Sequence, residues 1–237
     1  LVYFYEKRSD NLNRYNIPSP IATVINWSYC VSNGYLVFIP DVVFRKGEPG
    51  ASSYDAVVSG VKSLIDRYDF IDKDRIALNG HSWGGYQIAF LVTRTNMFKA
   101  AVSGAPVVNM TSAYGGIRWE SGKSRMFQYE QTQSRIGGTL WDKPAEFIRN
   151  SPLFFLPQVQ TPVLIMHNDK DGSVMWEQGI EFFMALRRLD KPVWLFNYKG
   201  EGHHLKKWEN RLDYSRRVME FYDYYLKDGK KPEWMKS

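Results

Sequence analysis

Residues 76–90, IALNGHSWGGYQIAF, place a serine between glycines directly after an apolar run. Gly80-His81-Ser82-Trp83-Gly84 fits G-x-S-x-G, the pattern of a serine on a sharp strand-to-helix turn with its hydroxyl exposed. Small residues at 80 and 84 let strand and helix approach closely, and Gly85 extends that tolerance. The chemistry this suggests is attack on a carbonyl carbon, with the following helix aiming its N-terminal N–H groups at the developing negative charge. A serine hydroxyl is a weak nucleophile unless a base takes its proton, and the base needs an acid to orient it. A merely structural turn would need neither, so the partners decide.

Where such a turn serves a hydrolase, the order along the chain is Ser, then Asp or Glu, then His. LIMHNDKDGSV offers Asp169 and Asp171, and LFNYKGEGHHLKK offers His203 and His204, two of the four histidines. Asp171 lies further into its loop than Asp169 and so reaches better towards the next one. His203 follows Gly202, while His204 is expected to cap or pack against the final helix. His81 and His167 read as packing residues, and Asp41, ending LVFIPD, as a carboxylate that holds a loop. The backbone N–H of Trp83 is the expected first donor to an oxyanion, with a second from the loop after LVYFYE.

These positions need a scaffold that brings distant loops together. LVYFYE and YLVFIPDVV read as strands, with a helix expected over roughly residues 19–33 between them. SSYDAVVSGVKSLIDRY carries a helical face from Val57 to Ile65, with Ser52 or Ser53 as its cap. RIALNG, KAAVSGAP, PVLIMHND and PVWLFNY are further strands. They alternate with the helices GGYQIAFLVTRT, WEQGIEFFMALRRLD and a last one to about Lys227. Residues 107 to about 160 break the rhythm and read as an insertion or lid with short helices. The fold class is therefore α/β, one domain over 1–237, with a mostly parallel sheet covered on both faces. Functional residues then gather at the C-terminal strand ends.

Composition excludes several alternatives. With 44% hydrophobic residues the chain can build a sizeable core, and its net charge of +6 comes from scattered bases mixed with acids, as in KKWENRLDYSRR. That argues against a nucleic-acid partner. No apolar run reaches membrane-spanning length. Cys30 is the only cysteine, so no intrachain disulfide forms, and it reads as a packed small hydrophobe. No zinc-ligand spacing is present, and neither metal nor cofactor is expected. The first residues read as a core strand rather than a signal peptide, so the natural chain is expected to continue upstream. KDGKKPEWMKS reads as a frayed tail.

With DRIALNGHSWGGYQIAF, KAAVSGAPV, TPVLIMHNDKDGSVMWEQG and YKGEGHHLKKWENRLDYSRRVMEFYDYYL in place, the chain resembles the catalytic domain of the prolyl oligopeptidase family of serine peptidases. The dipeptidyl-peptidase IV and acylaminoacyl-peptidase branches look most similar. The resemblance covers nearly the whole chain, including the 32-residue step from Asp171 to His203. It implies the α/β-hydrolase fold, with the insertion following that fold's sixth strand, and a triad of Ser82, Asp171 and His203. It also implies that Tyr5 gives its hydroxyl to the oxyanion beside Trp83. Relatives often follow that tyrosine with small residues and proline, whereas Glu6-Lys7-Arg8 follow here. Proline-specific relatives line the substrate pocket with the residue after the serine, the valine of APV and tyrosines beyond. Trp83 and Val107 match, and Tyr114 and Trp119 lie near the tyrosine positions. An asparagine two residues after the acid binds the substrate carbonyl in some relatives, and Ser173 stands there.

The resemblance further implies an N-terminal β-propeller that restricts the site to short peptides, and export to a bacterial periplasm or the medium. It also implies that the first strands of the hydrolase sheet are expected upstream of this stretch. A sheet edge exposed in that way invites pairing with a second copy, a homo-oligomer. The expected function is a serine exo- or oligopeptidase working through an acyl-enzyme. The alternatives are a carboxylesterase using the same triad and a non-catalytic, hydrolase-like binding module.

Overall fold

The computed structural model describes residues 1–236. Strand β1 (Val2–Tyr3) is followed by a long irregular stretch and helix α1 (Trp27–Ser32). Helix α2 (Pro49–Arg67) leads to β2 (Ala77–His81), α3 (Trp83–Val92) and β3 (Ala100–Gly104). The insertion after β3 holds α4 (Met110–Tyr114), a small hairpin of β4 (Ile117–Arg118) and β5 (Lys123–Ser124), α5 (Met126–Glu130), α6 (Pro144–Arg149) and a 3-10 segment over Pro152–Gln158. Then come β6 (Val163–Met166), α7 (Trp176–Arg188), β7 (Val193–Phe196) and α8 (Trp208–Leu226).

The sheet runs β1-β2-β3-β6-β7, every pair parallel. Alternate strand residues divide the core, as the period of two demands. Leu78, Ala101, Val163 and Ile165 pack with α2, α3 and α7, whereas Ala77, Val102, Leu164 and Met166 pack with α1 and α8. The register positions the chemistry. His81 pairs with Gly104, Gly104 with Met166, and Met166 with Phe196, so four strands end level. The loops that follow therefore open at one edge of the sheet, as parallel α/β folds require of their sites.

Several expectations change. The helix expected over 19–33 is confined to α1, because Pro18 and Pro20 lack donors and bias their neighbours away from helix. Residues before it are tied to α8 instead: Ile21 N donates to Ser215, and Arg211 donates to the carbonyl of Pro20. Ser52 and Ser53 do not cap α2. Pro49 opens that helix, and both serine hydroxyls donate back to carbonyls one turn earlier. Of YLVFIPDVV only Phe38 pairs with β1, through Tyr3 N–H to Phe38 O at 3.0 Å and Phe38 N–H to Leu1 O at 2.9 Å. The tail is not frayed over its described residues, and Ser237 lies outside them. Its Trp234 packs edge-on against Trp194 and Phe196 of the outer strand, and Met235 is buried. Cys30 is buried in the α1–α8 core, and burial pushes its thiol up to about 11.

Candidate active site

Ser82 stands between β2 and α3 with φ 59° and ψ −117°, a strained conformation for a residue with a side chain. Its neighbours must be glycine. A Cβ on Gly80 would sit 2.8 Å from the backbone of Gly84, one on Gly84 would sit 2.9 Å from the carbonyl of Phe4, and one on Gly85 would overlap the carbonyl of Gly104. The strain is held from outside, since Ser82 N–H donates to Gly104 O at 2.8 Å. Trp83 is the first residue of α3, so its N–H has no partner within the helix.

Asp171 and His203 meet across the loops after β6 and β7. His203 Nδ1 donates to Asp171 Oδ2 at 2.7 Å. The other carboxylate oxygen accepts the N–H groups of Ser173 and Val174, each at 2.8 Å. Burial alone would raise the Asp171 carboxyl, but hydrogen bonds and charge from His167 and His203 outweigh it and hold the group well below the usual carboxylate range. His167 is fully buried; its Nε2 donates to Val174 O at 3.1 Å and lies 3.3 Å from Asp171 Oδ2. With Nδ1–H given to Asp171, His203 presents a lone pair at Nε2.

Ser82, His203, Tyr5 and Ser173 line one cleft of about 590 Å³. Ser82 and His203 share the cleft without a hydrogen bond between them; such contacts commonly tighten only when substrate arrives. The Tyr5 hydroxyl accepts from Gln133 Nε2 at 3.1 Å, which leaves its own proton free to donate. The loop beyond it is braced by Asp41, which accepts from Arg8 N–H and from both N–H and hydroxyl of Ser9.

The remaining pocket candidates stand elsewhere. Trp83 stacks on Tyr86 at 4.4 Å and joins Val107 and Tyr114 in an apolar cluster of the insertion. Tyr114 donates to Glu130 at 2.5 Å, and Trp119 is 72% exposed. Ser173 alone of these expected substrate contacts faces the cleft, where it bridges Arg118 and Glu120.

Three supporting residues escaped the sequence reading. Asn168 donates to Gly202 O at 2.8 Å and accepts from Tyr198 N–H at 3.0 Å, linking the loops that carry Asp171 and His203. Glu201, not His204, supplies the acceptor at the start of α8, taking the N–H groups of Lys206 and Lys207 at 2.9 Å each. Gln87 donates to Tyr5 O at 2.6 Å and ties α3 to the loop after β1. Asp169, the unchosen acid, braces the β7 loop by accepting from Gly200 N–H at 2.7 Å. His204 Nδ1 lies 3.1 Å from Thr23 Oγ1.

One group among the described residues has the spacing of metal ligands: ring nitrogens of His81, His203 and His204 lie within 4.8 Å of one another. Four basic side chains, Arg8, Arg118, Arg125 and Lys206, line the same cleft against the single carboxylate of Glu120. That field opposes a dication.

A parallel sheet whose inner strand turns through a strained serine into a buried helix defines an α/β hydrolase. The comparisons narrow this. The model of the prolyl oligopeptidase family matches residues 25–229, and the chain belongs to that family. It is 31% identical over 68% of its length to the protein named Uncharacterized peptidase YuxL of Bacillus subtilis (strain 168), covering 23% of that protein. It is 29% identical over 70% of its length to the acylamino-acid-releasing enzyme of Homo sapiens, covering 22% of it. Among solved structures, a Mycobacterium tuberculosis puromycin-hydrolyzing peptidase superposes with a TM-score of 0.72 at 22% identity, over 95% of this chain and 34% of that one. The chain thus spans about a quarter of the length of these curated relatives. No helix among the described residues is long and apolar enough to cross a membrane.

Proposed function

We propose that this chain is the catalytic domain of a serine peptidase, an exo- or oligopeptidase that cleaves short peptides through an acyl-enzyme. The observation that carries the reading is the 2.7 Å bond from His203 Nδ1 to a buried Asp171, with both His203 and the strained Ser82 facing one cleft. Ser82 Oγ attacks the scissile carbonyl while His203 Nε2 takes its proton and then returns it to the leaving amine. Asp171 keeps the Nδ1–H tautomer and stabilises the imidazolium that forms. The N–H of Trp83 and the hydroxyl of Tyr5 bind the oxyanion. A water then repeats the sequence against the acyl-enzyme, using His203 as base.

An N-terminal β-propeller gating access to peptides is part of the proposal, supported by the greater length of the relatives. In the full-length protein, a fluorophosphonate probe should label the wild type and not Ser82→Ala. Dipeptidyl-coumarin amides should be turned over alongside short p-nitrophenyl esters. Turnover of esters alone would overturn the peptidase reading, and a folded protein that takes no label would prove to be a non-catalytic module.

A further inference from the structure

Arg125 is 3% exposed, yet its side chain borders the cleft that holds Ser82 and His203. Its Nε and Nη1 are buried with no acceptor, and it takes part in no ion pair among the described residues. The Tyr129 ring lies 5.6 Å from its guanidinium carbon, which offers cation–π attraction on one face but leaves the N–H donors unmatched. An unpaired buried charge is costly, and such a group persists where a partner of opposite charge arrives from outside. Its surroundings repeat the message. Among the described residues, Arg8, Arg118 and Lys206 border the same space without an ion pair, and Glu120 is its only acidic lining residue. Arg118 is turned into the cleft by donating to Ser173 at 3.1 Å, and Ser173 in turn donates its N–H to Asp171. A positive wall is thus tied directly to the loop of the acid.

We propose that Arg125, assisted by Arg118, forms a carboxylate subsite, so that the cleft selects peptides carrying a carboxylate within a residue or two of the attacked bond. This deepens the peptidase reading and rests on it for turnover, but binding of the anion does not. A guanidinium presents its N–H donors as a planar fork that matches the two oxygens of a carboxylate. The site lies within the size range of ligand pockets. The carboxylate has two sources, an Asp or Glu side chain or a peptide's own C-terminus, and the chemistry of the subsite is the same for both.

The test uses the full-length protein and pairs of coumarin amides or peptides differing only in charge. Glu against Gln at each position beside the scissile bond probes the side-chain source, and free against amidated C-termini probes the other. One of the two series should show a preference for the anion of about tenfold to a hundredfold in kcat/KM, mostly in KM. Arg125→Met should collapse that ratio at least tenfold, and Arg125→Lys should restore part of it. Because the methionine removes an unpaired buried charge, the variant should melt no lower than wild type, so misfolding is read separately. Binding is also read without turnover, as the thermal stabilisation of wild type by glutarate and its loss in Arg125→Met. A glutarate shift without any peptide cleavage would keep the subsite and remove the peptidase reading. Equal rates on charged and neutral partners together with no glutarate shift would overturn the subsite. A cleft already filled by one of the protein's own carboxylates would give that null result as well, and would overturn it equally.

Discussion

Asn168 Nδ2 donates to the carbonyl oxygen of Gly202 at 2.8 Å, so the loop carrying Asp171 is bonded to the residue directly before His203. The Asn168 side-chain oxygen accepts Tyr198 N–H at 3.0 Å, which completes the bridge between the ends of β6 and β7. The distance from Asp171 to His203 is therefore set by a third, buried side chain as well as by the sheet.

Asn168→Ala should cost about 1 kcal/mol of stability, because it strands a half-buried N–H and a half-buried carbonyl. It should lower kcat roughly tenfold to a hundredfold through a loosened acid–base pair. Urea unfolding and steady-state kinetics measure the two effects. A fall in stability with kcat unchanged would show that the sheet register alone holds the pair.

Gly85→Ala should be among the most damaging single changes in the chain. The added methyl overlaps the carbonyl of Gly104, the atom that also receives the N–H of Ser82. Backbone faces it rather than a flexible side-chain end, so the elbow itself must move. A loss of about 3 kcal/mol or more is expected, with fluorophosphonate labelling lost in whatever fraction still folds.

The legible parts of this molecule are those whose signals are local. Ser82 is announced by three glycines within six residues, and the acids and histidines follow as strand-end loops in a fixed order. Parallel register then does the rest, since strands that end level must bring those loops together. What could not be read depends on partners distant in sequence. Gln133 reaches Tyr5 across 128 positions, and Ile21 reaches Ser215 across 194. The insertion was harder still. Its aromatic residues suggested a pocket, but Tyr114 and Trp83 pack inside it, while Arg118 and Arg125, ordinary in a basic sequence, face the cleft.

Stability should fall in mild acid. His81 is 3% exposed with neither ring nitrogen hydrogen-bonded, and burial first, then the neighbouring His203 and His204, hold its pKa well below the ordinary value. The unfolded chain therefore takes up a proton near pH 6.5 that the folded chain refuses. The stabilising difference is fully present above that pH and is lost as pH falls below it, by at most about 1.4 kcal/mol per pH unit. His204 is shifted the same way, by burial and then His203, and adds less because solvent reaches it. Urea unfolding at pH 7.5, 6.5 and 5.5 should show the decline, and His81→Leu should flatten it. An unchanged slope in the variant would assign the acid sensitivity to other groups.

Tyr5→Phe separates two uses of one hydroxyl. That oxygen accepts from Gln133, which orients the hydroxyl, while its proton remains available to the oxyanion. If the proton serves the transition state, its removal should lower kcat by about a hundredfold to a thousandfold with KM nearly constant, since the charge it meets develops only after attack. Gln133→Ala keeps the hydroxyl and loses only its orientation, so a loss well under tenfold is expected. Arg8, whose guanidinium carbon lies 5.2 Å from the centre of the Tyr5 ring, also steadies the ring independently of Gln133. Equal losses in the two variants would mean that Tyr5 acts by holding Gln133 and the insertion in place, and the second oxyanion donor would have to be sought in the backbone of the loop that Asp41 braces.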